Sequence, residues 1–235
     1  MVFVEERPFG HGRGCLIGLH LPKRTKGAIQ LLCLGAHSDD IEIGCGGTLL
    51  HLKQAFPGLK FHWVVFSAGG IRGEEAAKAA ELFTAGCEKE IVLKDYRDGF
   101  FPYHGAQLKD YFEELKSRVN PDLIFTQWSG DAHQDHRLLC ELTWNTFRNH
   151  LILEYEIPKY DGDMGRPNCF VPLEATLSEQ KIDHLFAAFE SQRSRKWFSR
   201  ETFRSLMRLR GMESNSSSGY AEAFHARKVI LHPVV

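Results

Sequence analysis

From Ile29 onward, apolar and polar positions follow two alternating rhythms. "IQLLCLGA" is an unbroken oily run, as suits a strand buried on both faces. "GGTLLHLKQAF" then takes helical spacing, and "KFHWVVFSAGG" reads as a second strand. "GEEAAKAAELFTAG" predicts a helix stopped at Gly86, and "KEIVLKD" a third strand. "AQLKDYFEELKSRV" is an amphipathic helix ended by "NPD". "LIFTQW" predicts a fourth strand and "HQDHRLLCELTWNTFRNHL" a helix. Beyond residue 151 the rhythm loosens. "FVPL" suits a late strand, "LSEQKIDHLFAAFESQ" a helix, "RSRKWFSRETFRSLMRLRG" a basic helix ended by Gly211, and "ESNSSSG" a loop that would serve as a lid. Residues 1–28 read as an N-terminal extension with candidate edge strands at Val2–Val4 and Cys15–Leu21, and residues 29–235 as one domain.

Strands alternating with helices predict the α/β class: a Rossmann-like three-layer sandwich with a mostly parallel central sheet. Right-handed crossovers place every strand-to-helix connection on one edge of that sheet, where such folds bind ligands. Both polar clusters of the chain fall there. "AHSDDIEIGCGG" follows the first strand and "SGDAHQDHR" the fourth.

Composition narrows the field without choosing a function. The chain has 235 residues, 43% of them hydrophobic, and a formal net charge of -1, which gives no general affinity for nucleic acid or acidic membranes. No apolar run approaches the roughly 18 residues of a membrane span, and the first thirty residues lack a signal-like core. A cytoplasmic location is the expectation. Six cysteines without a CxxC pair predict neither a disulfide framework nor a zinc knuckle, so they read as small core residues, with Cys45 the one near the polar cluster.

Asp39 and Asp40 are adjacent carboxylates at the mouth of the core, a costly placement unless a cation lies among them. His37 and Asp40 are three residues apart, a spacing that lets an imidazole and a carboxylate converge on one ion, and His136 is the natural third ligand. Two histidines and a carboxylate with positions left open describe a catalytic metal site. Zinc is the first choice, with Fe2+ or another divalent ion served by the same donors. Asp39, beside the metal, is then the general base; His133 shares the pocket, and Asp135 orients a ring from behind.

Those residues carry a resemblance. "AHSDDIEIGCGG" and "DAHQDHR" are similar to the paired motifs of the LmbE-like (PIG-L) N-deacetylases, zinc hydrolases that remove acetyl groups from amino sugars. The resemblance implies zinc on His37, Asp40 and His136, Asp39 as base, and His133 polarising the carbonyl or protonating the leaving amine. "GIRGEEAAKAAELFTAG" and "YRDGFF" resemble outer family segments, which implies sugar contacts from Arg72 and Asp98. "YAEAFH" resembles the family's C-terminal segment, which implies oxyanion support from His225. Ser38 replaces the usual proline of the first motif, and no ligand is lost with it.

The implied substrate is a small N-acetylated sugar or sugar conjugate, with no nucleic-acid or membrane partner. Two rivals stand beside it: a nucleotide- or S-adenosylmethionine-binding Rossmann-like protein, and a non-catalytic metal- and sugar-binding relative. The basic stretch 193–210 reads as a solvated face, an anionic-substrate contact or a homo-oligomer interface.

Overall fold

The computed structural model describes Gly18, His20, Leu21 and residues 27–230. The edge strands expected at Val2–Val4 and Cys15–Leu21 lie outside the described residues, apart from Gly18, His20 and Leu21, which form no strand. The first half of the fold runs β1 (Gln30–His37), α1 (Asp40–Ala55), β2 (Lys60–Ser67), α2 (Gly70–Thr84), β3 (Glu88–Leu93) and α3 (Gly105–Arg118). It continues with β4 (Leu123–Gln127), α4 (Gln134–Thr146), β5 (Leu151–Tyr155), β6 (Cys169–Leu173), α5 (Ala175–Ala188), α6 (Arg200–Glu213) and β7 (Tyr220–Ala226).

The strands form one sheet in the order β3-β2-β1-β4-β5-β7-β6. The first five are parallel, and β7 runs antiparallel to both β5 and β6. Alternation along the central strands sends Leu31, Cys33, Phe61, Trp63 and Val65 to one apolar layer with α1, α2, α5 and α6. Leu32, Leu34, Ala36, Val64 and Phe66 go to the other, with α3 and α4. Both faces of β1 are therefore dry, which is why its sequence is continuously oily. The chain order reverses between β1 and β4, and the polar motifs leave the carboxyl ends of these two strands.

Three departures from the sequence reading have physical causes. Helix α1 begins at Asp40, not at the glycines, and twelve of its 16 residues are buried. Its glycines are packing positions: a Cβ on Gly44 would lie 2.1 Å from Cδ2 of Tyr155, and one on Gly46 would lie 2.6 Å from Phe83. Helix α4 stops at Thr146, and the segment predicted as its end leads into β5, whose buried Glu154 breaks the expected apolar run. Helix α6 begins at Arg200, and Gly211 lies inside it, because the backbone of Gly219 approaches to 2.1 Å from where a Cβ would stand.

The basic residues of α6 face acids, not solvent alone. Arg204 pairs with Glu179 and Arg200 with Asp183, both on α5, while Arg210 forms a buried pair with Glu156 at 2.7 Å. A second buried pair grips α1 at mid-length. Lys181 Nζ donates to Ile43 O and to Glu222 Oε1, each at 2.5 Å, and Glu222 accepts the N–H groups of Gly47 and Thr48 at 2.9 and 2.6 Å.

Candidate metal centre

His37 ends β1, and Asp39 and Asp40 open α1, so the first motif is a strand-to-helix turn with its side chains held at the sheet edge. His136 projects from the first turn of α4. The structure brings the three predicted ligands together: His37 Nδ1 lies 3.1 Å from His136 Nε2 and 3.6 Å from Asp40 Oδ2, and His136 Nε2 lies 3.4 Å from Asp40 Oδ2. Tetrahedral donors on bonds of about 2.0 Å sit about 3.3 Å apart, so this triangle has the size a zinc-like ion requires.

The outer partners set the tautomers. His37 Nε2 faces Asp98 Oδ1 at 3.0 Å and Asp135 Oδ2 at 3.3 Å, which places a proton on Nε2 and a lone pair on Nδ1. His136 Nδ1 faces Asp131 Oδ2 at 2.9 Å, which leaves the lone pair on Nε2. In these tautomers two nitrogen lone pairs and a carboxylate oxygen converge on one point, a donor set that suits a divalent cation. Burial works against charge on His37, yet Asp40, Asp135 and Asp98 outweigh it and favour positive charge there, whether carried by a second ring proton or by an ion at Nδ1. Burial also works against the Asp40 carboxylate, but the two histidines and the His37 N–H hold its pKa well below the usual range. Gln127 donates to the same Oδ2 at 3.1 Å. The centre fits a metal ion.

Asp39 occupies the N-cap position of α1, but its side chain makes no cap bond. Its Oδ1 instead pairs with Arg72 Nη2 at 2.9 Å, and Arg72 Nη1 pairs with Glu75 at 3.0 Å. Arg72 thus meets the expected base; a sugar contact was the expectation. Burial raises the pKa of Asp39, Arg72 pulls it down and Asp40 pushes it up, with a net rise.

His133 caps α4: its Nδ1 accepts from Asp135 N at 3.2 Å, so a neutral ring carries its proton on Nε2. Burial, with His136 and His37 nearby, lowers its pKa and keeps it neutral. One ring nitrogen each from His37, His133 and His136 lies within 4.8 Å of the others. Asp135 is fully buried and accepts the N–H groups of Gly99 and Phe101 at 2.7 and 3.0 Å, so it fastens the loop of Asp98 to the centre while facing His37. Asp98 itself touches a candidate ligand, His37, where the sequence suggested a sugar contact.

His225, for which oxyanion support is the expectation, lies on β7. Its ring stacks on Trp128 with centroids 4.5 Å apart. Among the described residues, no hydrogen bond, ion pair or ring contact joins it to His37, Asp40 or His136.

Sequence reasoning missed two residues. Asp131 holds His136 and also accepts from His133 N at 2.7 Å. Lys159, from the segment after β5, reaches Asp131 Oδ2 at 2.8 Å and Asp163 Oδ2 at 2.5 Å. The need for a carboxylate behind a ligating histidine was the signal that could have found Asp131. Cys33, Cys45 and Cys140 are buried and free, and burial raises each thiol's pKa, which makes them packing residues.

The model of the family described as PIG-L, GlcNAc-PI de-N-acetylase, matches residues 32–147. The uncharacterized deacetylase YaiS of Escherichia coli K12 is 33% identical over 144 residues, which span 54% of this chain and 74% of that protein. The chain belongs to the PIG-L (LmbE-like) family. Solved structures share its fold. The N,N'-diacetylchitobiose deacetylase of Pyrococcus horikoshii matches with a TM-score of 0.64 and 22% identity, over 84% of this chain and 83% of that one. The 4-carboxy-2-hydroxymuconate hydratase GalB of Pseudomonas putida KT2440 matches with a TM-score of 0.62 and 18% identity, over 88% of this chain and 99% of that one. The same fold thus occurs in a named hydratase and in a named deacetylase, so the reaction must be argued from the site.

Proposed function

We propose that this PIG-L protein is a metal-dependent N-deacetylase that hydrolyses the N-acetyl group of an amino sugar or glycoconjugate, giving acetate and a free amine. The observation that carries this reading is the triangle of lone pairs on His37, Asp40 and His136 with the Asp39 carboxylate beside it. Those three side chains would hold the ion, with zinc the first candidate. A divalent cation at such a site acidifies water toward a pKa of about 7 and polarises an amide carbonyl.

The chain's own groups supply the proton traffic. Asp39, ionised, takes a proton from the attacking water, and Arg72 holds that carboxylate in place and favours its charge. His133, neutral with its proton on Nε2, donates a hydrogen bond to the oxygen on which charge develops. Asp39 then returns the proton to the amide nitrogen, the C–N bond breaks, and the amine leaves. One water is consumed for each acetate released.

The decisive experiment compares the native protein with Asp39→Asn for acetate release from N-acetylglucosamine and its glycosides, with metal content measured on both. The expected result is turnover lost and metal retained. An Asn variant that still releases acetate removes Asp39 from the mechanism.

A further inference from the structure

Asp39 forgoes the bond that its position offers. A carboxylate at an N-cap ordinarily accepts from the first turn of its helix, which fixes its direction. Here the side chain makes no such bond, and Arg72 Nη2 holds Oδ1 at 2.9 Å. An arginine on α2 therefore aims the base, and its own aim needs a restraint. A guanidinium gripped at one nitrogen still swings on a long, flexible stem, whereas a second grip on its other arm fixes its plane.

Glu75, one turn along α2, supplies that second grip: its Oε2 accepts from Arg72 Nη1 at 3.0 Å. The carboxylate is buried and tied in turn, with Oε1 accepting Ser191 N at 2.6 Å and Oε2 accepting Ser191 Oγ at 2.7 Å. Burial works against its charge, but Ser191 and Arg72 outweigh it and keep Glu75 ionised. Phe189, just past α5, sets its ring 5.5 Å from the guanidinium carbon, within cation–π reach. Lys78 Nζ, a further turn along α2, donates to Ala187 O at 2.6 Å and closes the two helices together. A chain of contacts thus runs from Asp39 through Arg72 and Glu75 to Ser191, in the 3-10 turn Glu190–Gln192 after α5. Among the described residues, no hydrogen bond or ion pair joins Glu75 to Asp39, His37, Asp40 or His136.

We propose that Glu75 is a positioning residue for the base: it locks the Arg72 guanidinium, and through it the Asp39 carboxylate, to the turn after α5. The proposal rests on the N-deacetylase reading of Asp39, and its test separates the two. The test is a double-mutant cycle on acetate release from N-acetylglucosamine and its glycosides, with metal content measured on every protein. It compares the native chain, Glu75→Gln, Arg72→Met and the two changes combined. Glu75→Gln keeps the shape but leaves one acceptor oxygen to serve both Arg72 and Ser191. Its kcat should fall about tenfold at little-changed KM, short of the roughly 100-fold that a misplacement of about 1 Å costs. In the Arg72→Met background the same change should cost about twofold or less, since a residue that acts through another loses its effect with it. Lys78→Met is the control: it loosens the same pair of helices without touching Arg72, and its kcat should match native.

Equal losses in both backgrounds, or a Lys78→Met loss as large as that of Glu75→Gln, overturn the proposal and leave the deacetylase intact. So does metal lost from Glu75→Gln, or a raised KM at unchanged kcat. Nitrogen-15 NMR of the Arg72 guanidinium gives a readout that needs no turnover. Its Nη–H signals should be separate and slow to exchange with water in the native chain, and averaged in Glu75→Gln. Signals already averaged in the native chain overturn the grip. If none of these sugars releases acetate, the functional reading fails, and the NMR comparison alone decides whether Glu75 holds Arg72. If Glu75→Gln does not fold, Glu75→Asp takes its place in every comparison, being one methylene too short to reach Arg72 and Ser191 together.

Discussion

Asp131 gives the most direct test of the centre, because it touches a candidate ligand but neither the substrate nor the ion. Its buried Oδ2 lies 2.9 Å from His136 Nδ1 and 2.8 Å from Lys159 Nζ. Asp131→Asn keeps the shape and an acceptor oxygen but removes the charge, so the contact that fixes the His136 ring loses about half its strength. Changes to a carboxylate behind a metal-bound histidine typically weaken metal binding 10–100-fold, or about 1.4–2.7 kcal/mol. Lys159 keeps Asp163 as its partner at 2.5 Å, so no buried cation is stranded and the fold should persist. The assay is competition against a chromophoric zinc chelator, with a thermal melt of each metal-free protein as control. Turnover at saturating metal should change little. An affinity within twofold of native, with unchanged melting, would refute the claim that Asp131 positions His136.

Two further outcomes follow from distances at the site and in the core. Arg72→Met removes the positive charge that lowers the pKa of Asp39, which burial and Asp40 already raise. Since the base acts ionised and activity is lost as pH falls through its pKa, the acid limb of kcat/KM should move to higher pH; a limb that stays put excludes Asp39 as the titrating base. Gly44→Ala would place a methyl 2.1 Å from the Tyr155 ring, which is buried and held by its O–H donating to Leu34 O at 2.6 Å. Overpacking of this kind costs about 1–3 kcal/mol, and for a chain of this length each kcal/mol lowers Tm by roughly 2–4 °C, so calorimetry should show a clear drop.

The sequence made the centre legible because its ligands come in two short motifs, each on a strand-to-helix turn, and because parallel strands put those turns on one edge. Those turns set His37, Asp40 and His136 within 3.6 Å of one another, with Asp39 paired to Arg72, His133 capping α4 and Asp135 facing His37. Periodicity was a poorer guide where charge is buried. Glu154 in β5 is satisfied by Ser129 N, Trp144 Nε1 and Arg227, partners up to 73 residues away, so nothing local marked the strand. Strand β7 was hidden likewise by Glu222 and His225. Lys159 meets Asp131 across 28 residues of chain, and no spacing rule anticipates such a contact. Glycines misled in both directions, since close helix packing and helix ends call for the same residue.

The grip of Lys181 and Glu222 on α1 sets a limit on dissection. Both motifs sit within residues 32–147, yet the helix that carries Asp40 is braced at mid-length by side chains from α5 and β7, far downstream. Cut out alone, that segment would have to show water an oily helix whose outer covering has gone, along with the counter-charges that hold its backbone. It is therefore not a portable module. A shortened chain carrying every metal donor should still fail to fold, and grafting the two motifs onto another scaffold would have to rebuild the clasp as well.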